Sequence, residues 1–170
     1  MVEVGNGEGQ IGAGGYYPSY EQYIMALDKG WHLAPTNNQD NHKGKWGNAN
    51  DARDVIITDD FSEAGIYEAI RALRMYATED KNLELTYTVN GLMMGSSITE
   101  IPDKLNVEVT VNDPDASDSI AKVEVVANSG KVAYTWDNAA QLRSGKLSAT
   151  LDPSYSYYFV RVTEADGDLA

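Results

Sequence analysis

Asp40-Asn41-His42 sets a carboxylate and an imidazole two residues apart in a chain that has only two histidines, His32 and His42. Both groups are ordinary ligands of divalent ions. In extended backbone, residues i and i+2 point to the same side. The spacing therefore predicts that Asp40 and His42 meet a common ion, or two adjacent ions, at the tip of a strand. The surroundings suit such a site: "APTNNQDNHKGKWG" follows an apolar run, carries many amide groups, and has Gly44 and Gly47 where the backbone must turn away. Loops of this kind at the C-terminal ends of parallel strands hold active sites in β/α enzymes. Lys43, Lys45 and Arg53 are the cations nearby, and Lys43 is the one best placed to orient an anionic group; solvated charge is the ordinary role of all three.

Other patterns are weaker. Gly7-x-Gly9-x-x-Gly12 has the letters of a dinucleotide loop, but such a loop must open directly into a helix whose N-terminal amides meet the pyrophosphate. Here further glycines, two tyrosines and a proline intervene, so the stretch reads as a flexible loop. "DPDASDSIAKVE" offers Asp113, Asp115, Ser117 and Glu124 at spacings close to a calcium loop, yet Asp118 stands where the sharp turn needs glycine. A solvated acidic loop is the simpler reading. His32 reads as a hydrogen-bonded histidine partly packed within a strand. Tyr16, Tyr17 and Tyr20 read as a packing cluster at a helix start or as an aromatic platform for a carbohydrate.

The elements that must position these residues follow from periodicity. "VEV" is a short strand, and "PSYEQYIMALDKG" is a helix with Tyr20, Tyr23, Ile24 and Leu27 at helical spacing, Ser19 as cap and Gly30 as stop. "WHLAPT" is a second strand and "DVIIT" a third, apolar enough for burial on both faces. "TDDFSEAGIYEAIRALRMYAT" contains a helix capped by Ser62, with Ile66, Ile70 and Leu73 along one side and arginines towards its end. Strands alternating with helices suggest β-α units on a parallel sheet. From about residue 83 the texture changes to alternation: Leu105, Val107, Val109 and Val111 share one face, Asn90-Gly91 marks a hairpin, and further short strands follow at turn-separated intervals. That is the pattern of an immunoglobulin-like antiparallel β-sandwich. The expected organisation is α+β, with one domain over residues 1–82 and a sandwich over 83–170.

Thirteen basic against twenty-six acidic residues, a formal charge of −13, argue against nucleic acid and anionic membranes as partners. No cysteine is present, which excludes disulfides, thiolate metal sites and cysteine nucleophiles. No apolar run is long enough for a transmembrane segment. "MVEV" begins directly in a strand and the chain stops soon after the turn signal "DGD", so the sequence reads as a piece of a longer protein.

The residues just described carry a resemblance. "VEVGNG" at 2–7, "SYEQYIMALDKGW" and "APTNNQDNHKGKWG" are similar to the closing part of the PHP (polymerase and histidinol phosphatase) metallohydrolase domain, in which a strand with Glu and Asn precedes a helix, a strand and a final Asp-x-His. The continuation through "YYFVRVTEADGD" resembles the carbaryl-hydrolase-like branch, where a β domain follows. The resemblance implies the last β-α units of a distorted β/α barrel with an appended sandwich. It also implies hydrolysis of a small phosphoester or related substrate with divalent ions (zinc, manganese or iron). Asp40 and His42 match the last pair of metal ligands; Glu3 and Asn6 match strand residues that line the same cavity. The family's early His-x-His and other ligands would lie upstream of Met1, so this chain alone is expected to hold an incomplete site and to be inactive. Its open barrel edges would favour self-association, and an envelope or extracellular location fits an acidic sandwich. The alternative is a non-catalytic binding or cell-surface module.

Overall fold

The strand read at "VEV" forms as β1 (Val2–Asn6) and runs parallel to β3 (Pro35–Asn38), with β2 (Tyr17–Pro18) antiparallel on its other side. Between them lies α1 (Tyr20–Asp28), which buries Tyr23. Gly30, at φ 83°, closes it. The coordinates are a computed structural model, and they describe residues 1–115 and 118–170. The chain divides into two compact units, Met1–Lys81 together with Ala170, and Asn82–Leu169.

Several local expectations for the first unit need correction. Ser19 stands at the N-cap of α1, but its hydroxyl donates to the Glu3 carbonyl at 2.7 Å and makes no cap bond. Its ψ of 33° departs from the extended backbone that a capping serine needs. The second strand does not begin at Trp31: Trp31 and His32 are exposed, and pairing starts where Val2 faces Pro35. His32 therefore does not pack within a strand. β4 (Arg53–Ile56) pairs antiparallel with β5 (Met75–Thr78), and its residues are exposed or half-buried instead of buried on both faces. α2 (Glu63–Arg71) is capped as expected, the Gly65 amide donating to Ser62 Oγ at 3.1 Å, but it stops before Leu73. Leu73 adopts φ 54°, a left-handed turn, and the chain reverses into β5, all four of whose residues are buried. One parallel pair is thus present, and among the described residues no closed barrel forms.

The second unit follows its alternation closely. β6 (Glu84–Val89), β7 (Leu92–Met93), β8 (Leu105–Asn112) and β11 (Lys146–Leu151) form an antiparallel sheet in the order β11-β8-β6-β7. β9 (Ile120–Ala127), β10 (Lys131–Trp136) and β12 (Tyr158–Glu164) form another, ordered β10-β9-β12. β8 buries Leu105, Val107, Val109 and Val111 and exposes the residues between them. Asn90 and Gly91 take φ 51° and 77°, both positive as a two-residue hairpin of the left-handed type requires. Val123, Val125, Val126 and Val162 are almost fully enclosed, and Tyr87 of the first sheet shares a hydrogen bond with the Val160 main chain of the second. A short helix, α3 (Ala139–Leu142), is capped by the Asn138 side chain. The final segment turns back, the Glu164 amide donating to Asp168 O at 2.9 Å and Thr163 bridging Leu169. Among the described residues no helix is long and apolar enough to cross a membrane.

Candidate functional site

β1 and β3 end side by side at Asn6 and Asn38. The Glu3 carboxylate accepts from Asn6 Nδ2 at 2.9 Å and from Asn38 Nδ2 at 2.8 Å, so the polar ends of the two strands are tied through one acid. Glu3 is exposed and Asn6, which donates to it, is half-buried. Beyond Asn38 the backbone does not stay extended: Asp40 takes φ 45°. Asp40 and His42 nevertheless meet, with His42 Nε2 lying 3.0 Å from Asp40 Oδ1. A tight turn, not strand alternation, brings them together.

The loop that carries them is fastened by amides. Asn41 Oδ1 accepts from the Lys43 and Lys45 main-chain amides at 3.0 and 2.9 Å, while Asn41 Nδ2 donates to Glu8 Oε2 at 3.1 Å. Lys43, expected to face an anionic substrate, is ion-paired with Glu8. Asn50 Nδ2 donates to the carbonyls of Gly7 and Gly9 at 2.9 and 2.8 Å. Gln39 Nε2 donates to Asn50 O at 2.8 Å. The glycine-rich segment does not run into a helix: Gly9 N bonds Gly15 O at 3.0 Å and the chain continues into β2. Arg53 is spent on the carbonyls of Asn50 and Ala52, at 2.8 and 2.7 Å, and so holds the loop base.

Behind this surface lies a polar network that spacing alone did not reveal. Buried Tyr16 donates to Glu79 Oε1 at 2.7 Å and accepts from Asn37 Nδ2 at 2.9 Å. Asn37 also donates to Thr78 O, and its main-chain amide donates to Asp54 Oδ1 at 2.6 Å. Partial burial pushes the Asp54 carboxyl up, the Asn37 amide opposes this, and the charge of Glu3 adds to the rise. Tyr16 is thus buried while Tyr17 points outward at 68% exposure, so the tyrosines form no common platform. The signal for this network was a pair of strands containing asparagine and aspartate at positions that ordinarily hold apolar residues.

In the second unit the acidic loop folds differently from a calcium loop. Asp113, Asp118 and Glu164 have carboxylate oxygens within 4.8 Å of one another. Burial raises the Asp118 carboxyl, the Ser119 amide opposes this, and Asp166 and Asp113 add to the rise. Glu124 takes no part: it receives Arg161 Nη2 at 2.7 Å and Nε at 3.0 Å, with Lys122 at 3.2 Å. Burial pushes its carboxyl up, but these cations outweigh it and hold the group below the usual glutamate range. Ser117 lies outside the described residues.

Among known proteins, an uncharacterized protein of Chlamydia pneumoniae is 28% identical to this chain over 132 residues, a match covering 68% of this chain and 21% of that protein. The chain therefore spans about a fifth of the length of the relative it matches. No family model matches, and no solved structure matches.

Proposed function

We propose that this chain is the C-terminal part of a PHP-type metal-dependent hydrolase acting on small phosphoesters or related substrates, and that Asp40 and His42 are two of its metal ligands. The observation that carries this reading is the 3.0 Å separation of His42 Nε2 and Asp40 Oδ1 beyond the paired ends of two parallel strands. Two ligands with bonds of about 2.1 Å to one ion lie about 3.0 Å apart at right angles and about 3.4 Å apart in a tetrahedral zinc site, so a small opening of the pair admits either geometry. The donor set fits zinc, manganese or iron as half of a coordination sphere; the remaining ligands would come from beyond this chain.

A bound ion of this kind supplies hydroxide near neutral pH and charge stabilisation at the ester oxygens. The residues here have simpler tasks. Asp40 contributes negative charge and an oxygen donor, and His42 a nitrogen donor held against it. Lys43, while paired with Glu8, shares its ammonium with an anionic oxygen of the substrate. Glu3, Asn6 and Asn38 keep the strand ends in register beneath the loop. The second unit, with its two antiparallel sheets joined through Tyr87 and Val160, supports an immunoglobulin-like sandwich as an accessory domain.

The test is hydrolysis of a generic phosphodiester by the full-length gene product with manganese or zinc. Asp40→Ala and His42→Ala are each expected to lower kcat at least a hundredfold while the circular dichroism spectrum stays unchanged. Activity retained in both variants would reject the assignment.

A further inference from the structure

We infer that Asn41 is a positioning residue for Asp40 and His42, fastening the turn that presents them to the carboxylate of Glu8; this rests on the reading that the pair holds a divalent ion. The Asp40 and His42 side chains are 57% and 81% exposed, so neighbouring side chains do little to fix them. Asp40 also sits at φ 45°, a backbone region that non-glycine residues enter only when something holds them there. What holds this turn is the carboxamide between the two ligands.

The geometry requires an amide. Asn41 Oδ1 takes two main-chain amides, those of Lys43 and Lys45, while Asn41 Nδ2 donates to Glu8 Oε2, so one side chain closes the turn and anchors it. Glu8 Oε1 receives the Lys43 ammonium. The residues immediately before and after His42 are therefore both attached to one carboxylate, 33 residues away for Asn41. A carboxylate at position 41 could accept the two amides but would face Glu8 with like charge. An aliphatic side chain could do neither. With both flanks pinned, the His42 backbone has little freedom, and its ring stays against Asp40. Residues that orient metal ligands in this way typically change metal affinity about 10–100-fold when removed.

The experiment uses the 170-residue chain, titrated with zinc and followed by NMR signals of the His42 ring. Asn41→Ala is expected to weaken zinc binding about tenfold or more, Glu8→Ala to weaken it less because the Lys43 and Lys45 amides keep Asn41 Oδ1, and the double variant to fall by less than the two losses combined, since the variants share the Asn41–Glu8 tie. His32 should be indifferent to all three. Should Asn41→Ala fail to fold, Glu8→Ala, which lies outside the turn, reads the same attachment. Zinc affinity within twofold of wild type in both single variants would overturn the inference. If the wild-type chain, with its incomplete ligand set, binds no zinc, the metal-free ring decides. Loss of the Asp40 to His42 contact and greater ring mobility in Asn41→Ala would uphold the positioning role, and an unchanged ring would end it.

Discussion

β8 in the second unit and β3 in the first both carry buried residues, yet they are held by opposite means. β8 pairs along six residues with β6 on one side and six with β11 on the other, and its inward face is leucine and valine throughout. β3 has four residues, and the two that are buried, Thr36 and Asn37, are polar. Apolar burial is non-directional and tolerates small shifts. A buried amide is stabilising only while its partners stay in place, and leaving one unmet costs about 1–3 kcal/mol. The second unit is accordingly built for stability, while the first spends side-chain hydrogen bonds on fixing loops at the ends of two strands, where the candidate site lies.

That contrast is sharpest at a place where the apolar unit departs from its own rule. Glu124 is buried in β9 and is held by two nitrogens of Arg161. Removing one partner of a buried pair leaves an uncompensated charge and typically costs roughly 3–5 kcal/mol; here Lys122, at 3.2 Å, offsets part of it. Arg161→Met should therefore produce the largest loss. Trp136, 2% exposed, reports it, because Trp31 and Trp46 are 64% and 83% exposed and change little on unfolding. The red shift of tryptophan emission is expected at markedly lower urea in the variant. An unmoved transition would mean that the second unit does not depend on this pair.

A second prediction concerns pH. Enclosure pushes the Tyr87 hydroxyl up to about 12, with the Val160 main-chain hydrogen bond acting the other way. The folded value is raised above the ordinary 10.0, so the unfolded chain loses its proton first as pH rises. The associated stability is fully present below pH 10 and is lost between about 10 and 12, up to about 3 kcal/mol. Urea midpoints of the Trp136 transition should fall over that window, and Tyr87→Phe should flatten the fall. A wild-type profile that is already flat there would place Tyr87 in solvent.

How much of this was legible in the sequence tracks the same division. The β8 alternation, the Asn90-Gly91 turn and the Ser62 cap are local signals, and each forms where the residues place it. The helical spacing of Ile66, Ile70 and Leu73 carries past the end of α2, because Leu73 takes a left-handed conformation that no glycine announces. β3 was misplaced because Thr36-Asn37-Asn38 does not look like buried strand. Its partners Tyr16, Asp54 and Thr78 come from three other segments. At the site, the meeting of Asp40 and His42 was legible as a spacing, but the turn that makes it, and the tie from Asn41 to Glu8, depend on a segment 33 residues away. Local pattern encodes apolar strands well. Polar networks are encoded by distant pairs, which a single sequence does not display.

The first unit's dependence on close polar contacts can be probed at Gly5. A Cβ there would lie 2.1 Å from the Tyr16 hydroxyl and 2.6 Å from Asn37 Oδ1. Gly5→Ala must therefore push Tyr16 or β3 aside, and both are buried. Overpacking of this kind costs about 1–3 kcal/mol, and here it would also break the hydrogen bonds from Tyr16 to Glu79 and from Asn37 to Tyr16. Amides of β1 and β3 should exchange faster with solvent, whereas the Trp136 transition should stay where it is in wild type. Val109→Ala supplies the opposite case, since it opens a void in the apolar core and should lower the Trp136 transition without affecting exchange in β1 or β3. If Gly5→Ala instead shifted the Trp136 transition and spared β1 and β3, the two units would share a single cooperative core and the contrast drawn between them would be wrong.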